Sequence, residues 1–314
     1  MQPQLEIRRY TPQERTLWDS IIKNAANATF LFLRDYMEYH ADRFEDFSLM
    51  IFDKSRLIAI LPASRHNNNV VSHGGLTYGG IITQPQVSSL QLLHIFECIK
   101  QFLRKEGIEN WIYKPVPHIY HKYLHEAELY ALYRSGAIRT ACNLSSTIDL
   151  TAPLPYSQLR RRGIKKAVKS GITISSSDRY AEFWEILEAN LQERHSVTPV
   201  HTLQEITYLH NLFPQNIQLH TATIDNEVLA GCLIYNTGEV AHAQYISASP
   251  KGKELGALDM LFDNLISSSY TSCRYFDFGI STEDNGNYLN QGLLSQKEGF
   301  GARGCVYETY LIEL

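Results

Sequence analysis

The densest concentration of side chains able to move protons lies near the C-terminus, in DFGISTEDNGNYLNQGLLSQKEGFG. Asp277 stands in an otherwise apolar stretch. Ser281, Thr282, Glu283, Asp284, Asn285, Asn287, Tyr288 and Asn290 follow it before the next helical pattern. Loops leaving the strand ends of a mixed sheet collect ligands, so this segment is expected to line a cleft. Its plainer alternative is a turn and helix cap at Asp284 to Asn287. A second concentration is cationic: Arg161, Lys165 and Lys169 at i, i+4 and i+8 share one helical side, flanked by Arg162 and Lys166. That face suits a phosphorylated ligand, such as a nucleotide-linked precursor or the end of a charged tRNA. It is otherwise a solvated helix face.

Several chemistries are disfavoured by spacing. His118, His121, His125 and Glu128 fall near one helical stripe, but a single helix rarely offers more than two ligands to a tetrahedral zinc, and no H-E-x-x-H is present. No metal is expected. Ser-His-Asp catalysis lacks a G-x-S-x-G elbow. SHGGLTYGG has neither the Lys-Ser/Thr end of a P-loop nor the form of a dinucleotide fingerprint. It reads as a strand and bend with close packing, or as a substrate wall with His73 and Tyr78 facing a cleft. The five cysteines are scattered and form no C-x-x-C pair, which fits reduced, mostly buried thiols.

The elements that must position these residues follow from periodicity. The first half reads as a strand (Leu5 to Tyr10) and a helix after Thr11-Pro12 with Leu17, Trp18, Ile21 and Ile22 on one side. A helix over Leu33 to Phe44 and a hairpin turning at Asp53 to Arg56 come next. A strand pair through Val70 to Ile82, a helix from Ser88 to Lys105, strand WIYKPV, a helix from His118 to Arg134 and strand LSSTIDL complete it. The second half repeats this order: strand GITISSS, an amphipathic helix with Phe183, Trp184, Leu187 and Leu191, and a helix from Leu203 to Phe213. Then come a hairpin turning at Asp225 to Glu227, strand AHAQYIS, a helix from Leu255 to Ile266, strand YFDFGI, a helix from Asn287 to Lys297 and a terminal strand. TAPLPYSQ, with two prolines, marks the junction. At 314 residues, 44% hydrophobic and 20% charged, the chain is long and apolar enough for a folded protein of two domains. Its formal charge of −4 excludes a broadly basic binder of nucleic acid or anionic membrane. With no apolar leader and no spanning segment, a cytoplasmic protein is expected.

The order of elements is similar to that of the GNAT acyltransferase fold, and its doubling resembles the Fem-like (FemAB-like) branch. RRRGIKKAVKSGI resembles that branch's R-x-x-I-x-K-A-x-K-x-G-V segment, and QKEGFGARGCVYETYLIEL its C-terminal F-K-x-x-F-G-x-x-x-x-x-Y segment. The resemblance implies a mixed α/β chain of two tandem GNAT-like domains, 1–150 and 151–314, with the active site in the second. It also implies transfer of an acyl group, from acyl-CoA or acetyl-CoA, to an amine of a sugar or cell-envelope precursor. The alternatives are a tRNA-dependent aminoacyltransferase and a catalytically silent binding module. The donor would lie on the loop Lys251, Gly252, Lys253, Gly256 and Ala257, at a helix N-terminus where unpaired amides favour an anion. That loop departs from the family's Q/R-x-x-G-x-G/A, since Lys251 stands where Arg or Gln belongs and Glu254 replaces the first glycine. For amide formation Glu283 is the candidate base and Tyr288 the candidate acid. Lys297 matches the lysine of the C-terminal segment as charge stabiliser. Gln244, Tyr245, Asp277, Asn285, Arg162 and Lys166 are the candidate substrate-binding residues. For Tyr288 and Lys297 to reach one substrate, the last helix must begin after Tyr288 or break near Gly292.

Overall fold

Asp225 and Asn226, both at positive φ (46° and 64°), close a tight turn between strands Ile217–Ile224 and Glu227–Asn236, as polar residues tolerant of left-handed backbone do. Lys54 (φ 52°) plays the same part between strands Leu49–Asp53 and Arg56–Leu61. These hairpins are the centres of two similar sets of elements in the structure, a computed structural model that describes residues 5–195 and 197–314.

In chain order the first set is β1 (Leu5–Arg9), α1 (Arg15–Asn24), α2 (Arg34–Met37), β2 (Glu45–Asp46), β3 (Leu49–Asp53), β4 (Arg56–Leu61), β5 (Ser64–His66) and β6 (Asn69–Val71). It continues with β7 (Ile82–Thr83), α3 (Ser89–Lys105), β8 (Asn110–Tyr113), α4 (Ala127–Arg134) and β9 (Ile138–Asp149). The second is α5 (Gln158–Lys169), β10 (Thr173–Ser176), α6 (Tyr180–His195), α7 (Leu203–Leu212), β11 (Ile217–Ile224), β12 (Glu227–Asn236), β13 (Val240–Ala248) and α8 (Pro250–Leu255). It ends with α9 (Ala257–Asn264), β14 (Tyr275–Ile280), β15 (Thr282–Glu283), β16 (Tyr288–Leu289), α10 (Gln291–Glu298) and β17 (Arg303–Glu313). Strands β1-β3-β4-β7 are antiparallel neighbours in that order, and β10-β11-β12-β13 repeat the arrangement. The two hairpins therefore hold matching places.

The chain packs as two units that are not contiguous in sequence. One runs to Asn143 and takes in Glu283–Tyr288 and Val306–Leu314; the other comprises Leu144–Thr282 and Leu289–Cys305. In the first, β8 pairs antiparallel with the end of β17, and α3 seals the sheet with Leu92, Ile95, Phe96 and Ile99 against Leu49, Ile51 and Trp111. In the second, β14 pairs antiparallel with the end of β9, and α9 packs Leu261 and Phe262 onto Phe276, Phe278 and Phe300. Among the described residues no helix is long and apolar enough to cross a membrane.

Several expected elements take a different form. The stretch from His118 to Arg134 is a single 3-10 turn (His118–Tyr120) followed by α4, because the amide of Lys122 is drawn to the carbonyl of Ala26. The histidine stripe is thereby broken up: His121 Nε2 bonds the carbonyl of Val116 (3.0 Å), and Glu128 is buried beside Tyr113. The expected pair through Val70 to Ile82 does not form, since β6 joins β5 and β8 whereas β7 joins β4. The helix expected over Leu33 to Phe44 shortens to α2 and a 3-10 turn, and Leu17 points outward on α1. A left-handed Gly256 (φ 78°) divides the expected Leu255 to Ile266 helix into α8 and α9.

Candidate active site

The parallel ladder between β13 and β14 holds for three residue pairs, Val240 with Tyr275, Ala241 with Phe276 and His242 with Asp277. Beyond them β14 is irregular between Asp277 and Ile280, and Gly279 takes φ 77°. On β13 the register against β12 jumps between Leu233 and Ile234, leaving Gln244 as the extra residue of a bulge. A cavity of about 370 Å³ has Ile246, Ser247 and Ala248 of β13 and Phe278 of β14 on its walls, below this separation. Leu187, Leu258, Phe262, Leu293 and Phe300 make it largely apolar, and Lys297 is its buried cation. A larger polar cavity of about 940 Å³ shares Lys253, Leu258 and Gln296 with it and reaches Arg160, Gly252, Gly256, Asp259 and Arg303.

Lys297 sits on α10 with 4% of its surface exposed. Its Nζ donates to the carbonyls of Gly279 (2.8 Å) and Ile280 (2.7 Å), which the irregular end of β14 turns toward it. Burial pushes this amine down to about 8, partly offset by the charge of Asp277. Asp277 is fully buried. Oδ1 accepts from Ser145 Oγ (2.6 Å) and Thr147 Oγ1 (2.8 Å), and Oδ2 from His242 Nδ1 (2.8 Å). Burial alone would raise this carboxyl, but the hydrogen bonds from His242 and the two hydroxyls hold it below the usual range. It is therefore an anion.

The two halves differ in the helices that follow their fourth sheet strand: α3 alone in the first, and in the second α8, capped by Ser249 Oγ on the Gly252 amide, followed directly by α9. The N-terminus of α3 is closed by a capping box, Ser88 accepting from the Gln91 amide while Gln91 accepts from Ser88. That of α9 begins at Gly256 with no side-chain cap, so its first-turn amides carry partial positive charge with no side chain to accept them. Gly256 and Leu258 line the polar cavity. α5 crosses here: Arg160 pairs with Asp259, and a Cβ on Gly163 would stand 1.8 Å from the Asp259 carboxylate.

The structure brings some of the sequence candidates together and leaves others apart. Lys253 faces both cavities and donates to Asn190 Oδ1, itself tied to Ser247 Oγ (2.8 Å). Gly252 and Gly256 line the polar cavity, although the Gly252 amide is already bonded to Ser249 Oγ (3.1 Å), and Ala257 is buried at the start of α9. Lys251 lines neither cavity and pairs with Glu227. Tyr245 Oη accepts from the His201 amide (3.2 Å), lies 2.7 Å from His201 Nδ1, and the ring packs edge-on against Trp184. Arg162 and Lys166 are exposed on α5, Lys166 reaching the Glu254 carbonyl (2.7 Å). Asn285 (φ 54°) makes the turn between β15 and β16, whose ends carry an exposed Glu283 and an exposed Tyr288. α10 begins at Gln291, capped by Asn290, so Tyr288 lies outside it and Gly292 causes no break. His242, Arg160, Asn190 and Ser247 were missed by sequence reasoning. Only strand register brings His242 beside Asp277, although alternation along AHAQYIS was a usable signal.

The site thus lies where two parallel strands, β13 and β14, part from each other. Residues 157–288 match the model of an acetyltransferase (GNAT) domain. Across the chain, the crystal structure of FemX superposes with a TM-score of 0.70 at 11% identity, covering 98% of this chain and 97% of that one. The C-terminal domain of a putative lysylphosphatidylglycerol synthetase from Agrobacterium fabrum gives 0.64 at 12% identity, covering 96% and 92%. L-PGS from Bacillus licheniformis gives 0.60 at 13%, covering 96% and 91%. No curated protein sequence matches the chain. The fold is the one shared with these FemX and L-PGS structures, built here from two similar sets of elements with the GNAT-domain match in the second.

Proposed function

We propose that the protein is an N-acyltransferase whose second half moves an acyl group, from acyl-CoA, to an amine of a sugar or cell-envelope precursor. The observation that carries this reading is the pair of abutting cavities, one polar and one apolar, joined at Lys253, Leu258 and Gln296. A phosphorylated carrier fits the polar one, where Lys253, Arg303 and the uncapped start of α9 offer positive charge. Its acyl arm fits the apolar slot. There the Lys297 ammonium, fixed by two carbonyls in a dry site, stabilises the oxyanion formed when the amine attacks. Glu283 and Tyr288, the base and acid expected from the sequence, stand exposed on the β15–β16 turn and line neither cavity, and unchanged turnover in Tyr288→Phe would exclude the acid role.

A second reading keeps the reaction and changes the carrier to an aminoacylated tRNA. It is favoured by α5, where Arg161, Arg162, Lys165, Lys166 and Lys169 are all exposed and, among the described residues, form no ion pair. Thermal unfolding with added CoA or acetyl-CoA separates the readings. A ligand at 100 times its dissociation constant adds about 2.7 kcal/mol of stability. The acyl-CoA reading expects that rise, and its loss in Lys253→Ala. No rise with either, together with salt-sensitive retention of aminoacylated tRNA, favours the second reading. Binding of CoA without thiol release on any amine would make this a silent module.

A further inference from the structure

The last paired position of the β13–β14 ladder, just before the strands part, holds a group able to accept the proton that an attacking amine must lose. Asp277 accepts from Nδ1 of His242 at 2.8 Å, and an ionised carboxylate at that nitrogen fixes the neutral ring with its proton on Nδ1. Nε2 then carries the lone pair. No other hydrogen bond to the ring is formed within the described residues, and the side chain keeps 14% of its surface exposed, so this lone pair is not sealed in the core. Gly279, at φ 77°, leaves the ring edge uncovered: a Cβ there would stand 3.5 Å from Cε1, the atom bonded to Nε2. The carbonyl of the same Gly279 holds Nζ of Lys297. Imidazole edge and ammonium thus flank one residue of β14.

We propose that His242 is the general base of the acyl transfer, taking the proton of the acceptor amine on Nε2 while Asp277 holds the Nδ1 proton in place. This rests on the acyltransferase reading. The acceptor ammonium gives its proton to Nε2, and the freed amine attacks the acyl carbonyl carbon to form the C–N bond. The oxyanion lies toward Lys297. Collapse breaks the bond to the carrier, the second proton of the attacking nitrogen passes to the departing sulfur, and the imidazolium releases its proton to solvent, giving amide and free thiol. The charged groups around the ring are Asp277 from β14 and Lys297 from α10. Cys305 from β17 also senses Asp277, but burial pushes its thiol up to about 12, so it stays neutral. Ser145 and Thr147 from β9 contribute only hydroxyls.

The test has two arms. In full-length protein labelled with 15N-histidine, comparison with His242→Gln assigns the ring. The expected neutral form carries its proton on Nδ1 and has an unbonded Nε2. A neutral ring protonated on Nε2 overturns the proposal whatever the substrate. The kinetic arm follows thiol release from acetyl-CoA with glucosamine and with hydroxylamine, an amine already unprotonated at neutral pH. His242→Gln keeps a donor for Asp277 but cannot act as a base. It is expected to lower kcat/KM for glucosamine by ~10²-fold or more, with hydroxylamine little affected. Equal loss with both amines overturns the proposal. Failure of the wild-type protein to use acetyl-CoA counts against the donor reading, and the tautomer still decides the state of His242.

Discussion

Two buried ionisable groups, Lys297 in the second unit and Glu128 in the first, give the individual residues measurable behaviour. Lys297, held down to about 8 by burial, is charged below that pH and neutral above it. If its charge stabilises the oxyanion, turnover falls as pH rises through about 8, and Lys297→Met removes ~10² to 10³ in kcat with the alkaline limb gone. Steady-state rates from pH 6 to 10 check this. Glu128 is driven up to about 8, first by burial and against the hydrogen bond it accepts from Tyr113 at 2.5 Å. Its folded form holds a proton that the unfolded chain loses above the ordinary 4.5. The stability it contributes is therefore present below that value and is lost as pH rises toward 8. Glu128→Gln keeps an acceptor for Tyr113 and cannot ionise, so its stability is expected to lie close to wild type near pH 5 and to exceed it at pH 8 by about 4 kcal/mol, read as a higher Tm. The sequence offered Glu128 only as one member of a histidine stripe. The buried partner that sets its chemistry comes from a strand outside that stretch.

At the level of elements, α5, α8 and α9 form one wall of the polar cavity by close backbone approach. Gly256 adopts a left-handed conformation, and a Cβ there would come within 2.7 Å of the Gly163 carbonyl. Gly256→Ala thus strains the turn and pushes α5 from α9, at an expected cost of about 2 kcal/mol measured by urea unfolding. The elements themselves were legible. Hairpins, amphipathic helices and the last strand fall where apolar period and turn residues put them, because those signals are local. Gly163 was not legible, since its significance depends on Asp259 from a distant helix. For the same reason the helix expected from His118 failed: the competing hydrogen bond to Ala26 lies outside any sequence window. Of the site, Asp277 could be read from its place in an apolar stretch, whereas Lys253 and Lys297 came only from the family resemblance. His242 needed the register of β13 against β14.

For the whole molecule, the packing units cut across the sequence, and Ser145 and Thr147, which satisfy Asp277, come from β9 ahead of the proline-rich junction. A fragment beginning at residue 151 lacks both hydroxyls and the strand that pairs with β14. It is expected to be insoluble or to unfold without cooperativity, whereas one beginning at residue 138 retains those partners; circular dichroism melts compare them. The central claim is that the wedge between β13 and β14 is a donor site for acyl-CoA. Calorimetric titration of acetyl-CoA into the full chain tests it most directly. The account predicts one saturable site, weakened when Lys253 is replaced by Glu; absence of binding heat at every temperature tried, with no change in Tm, would contradict it.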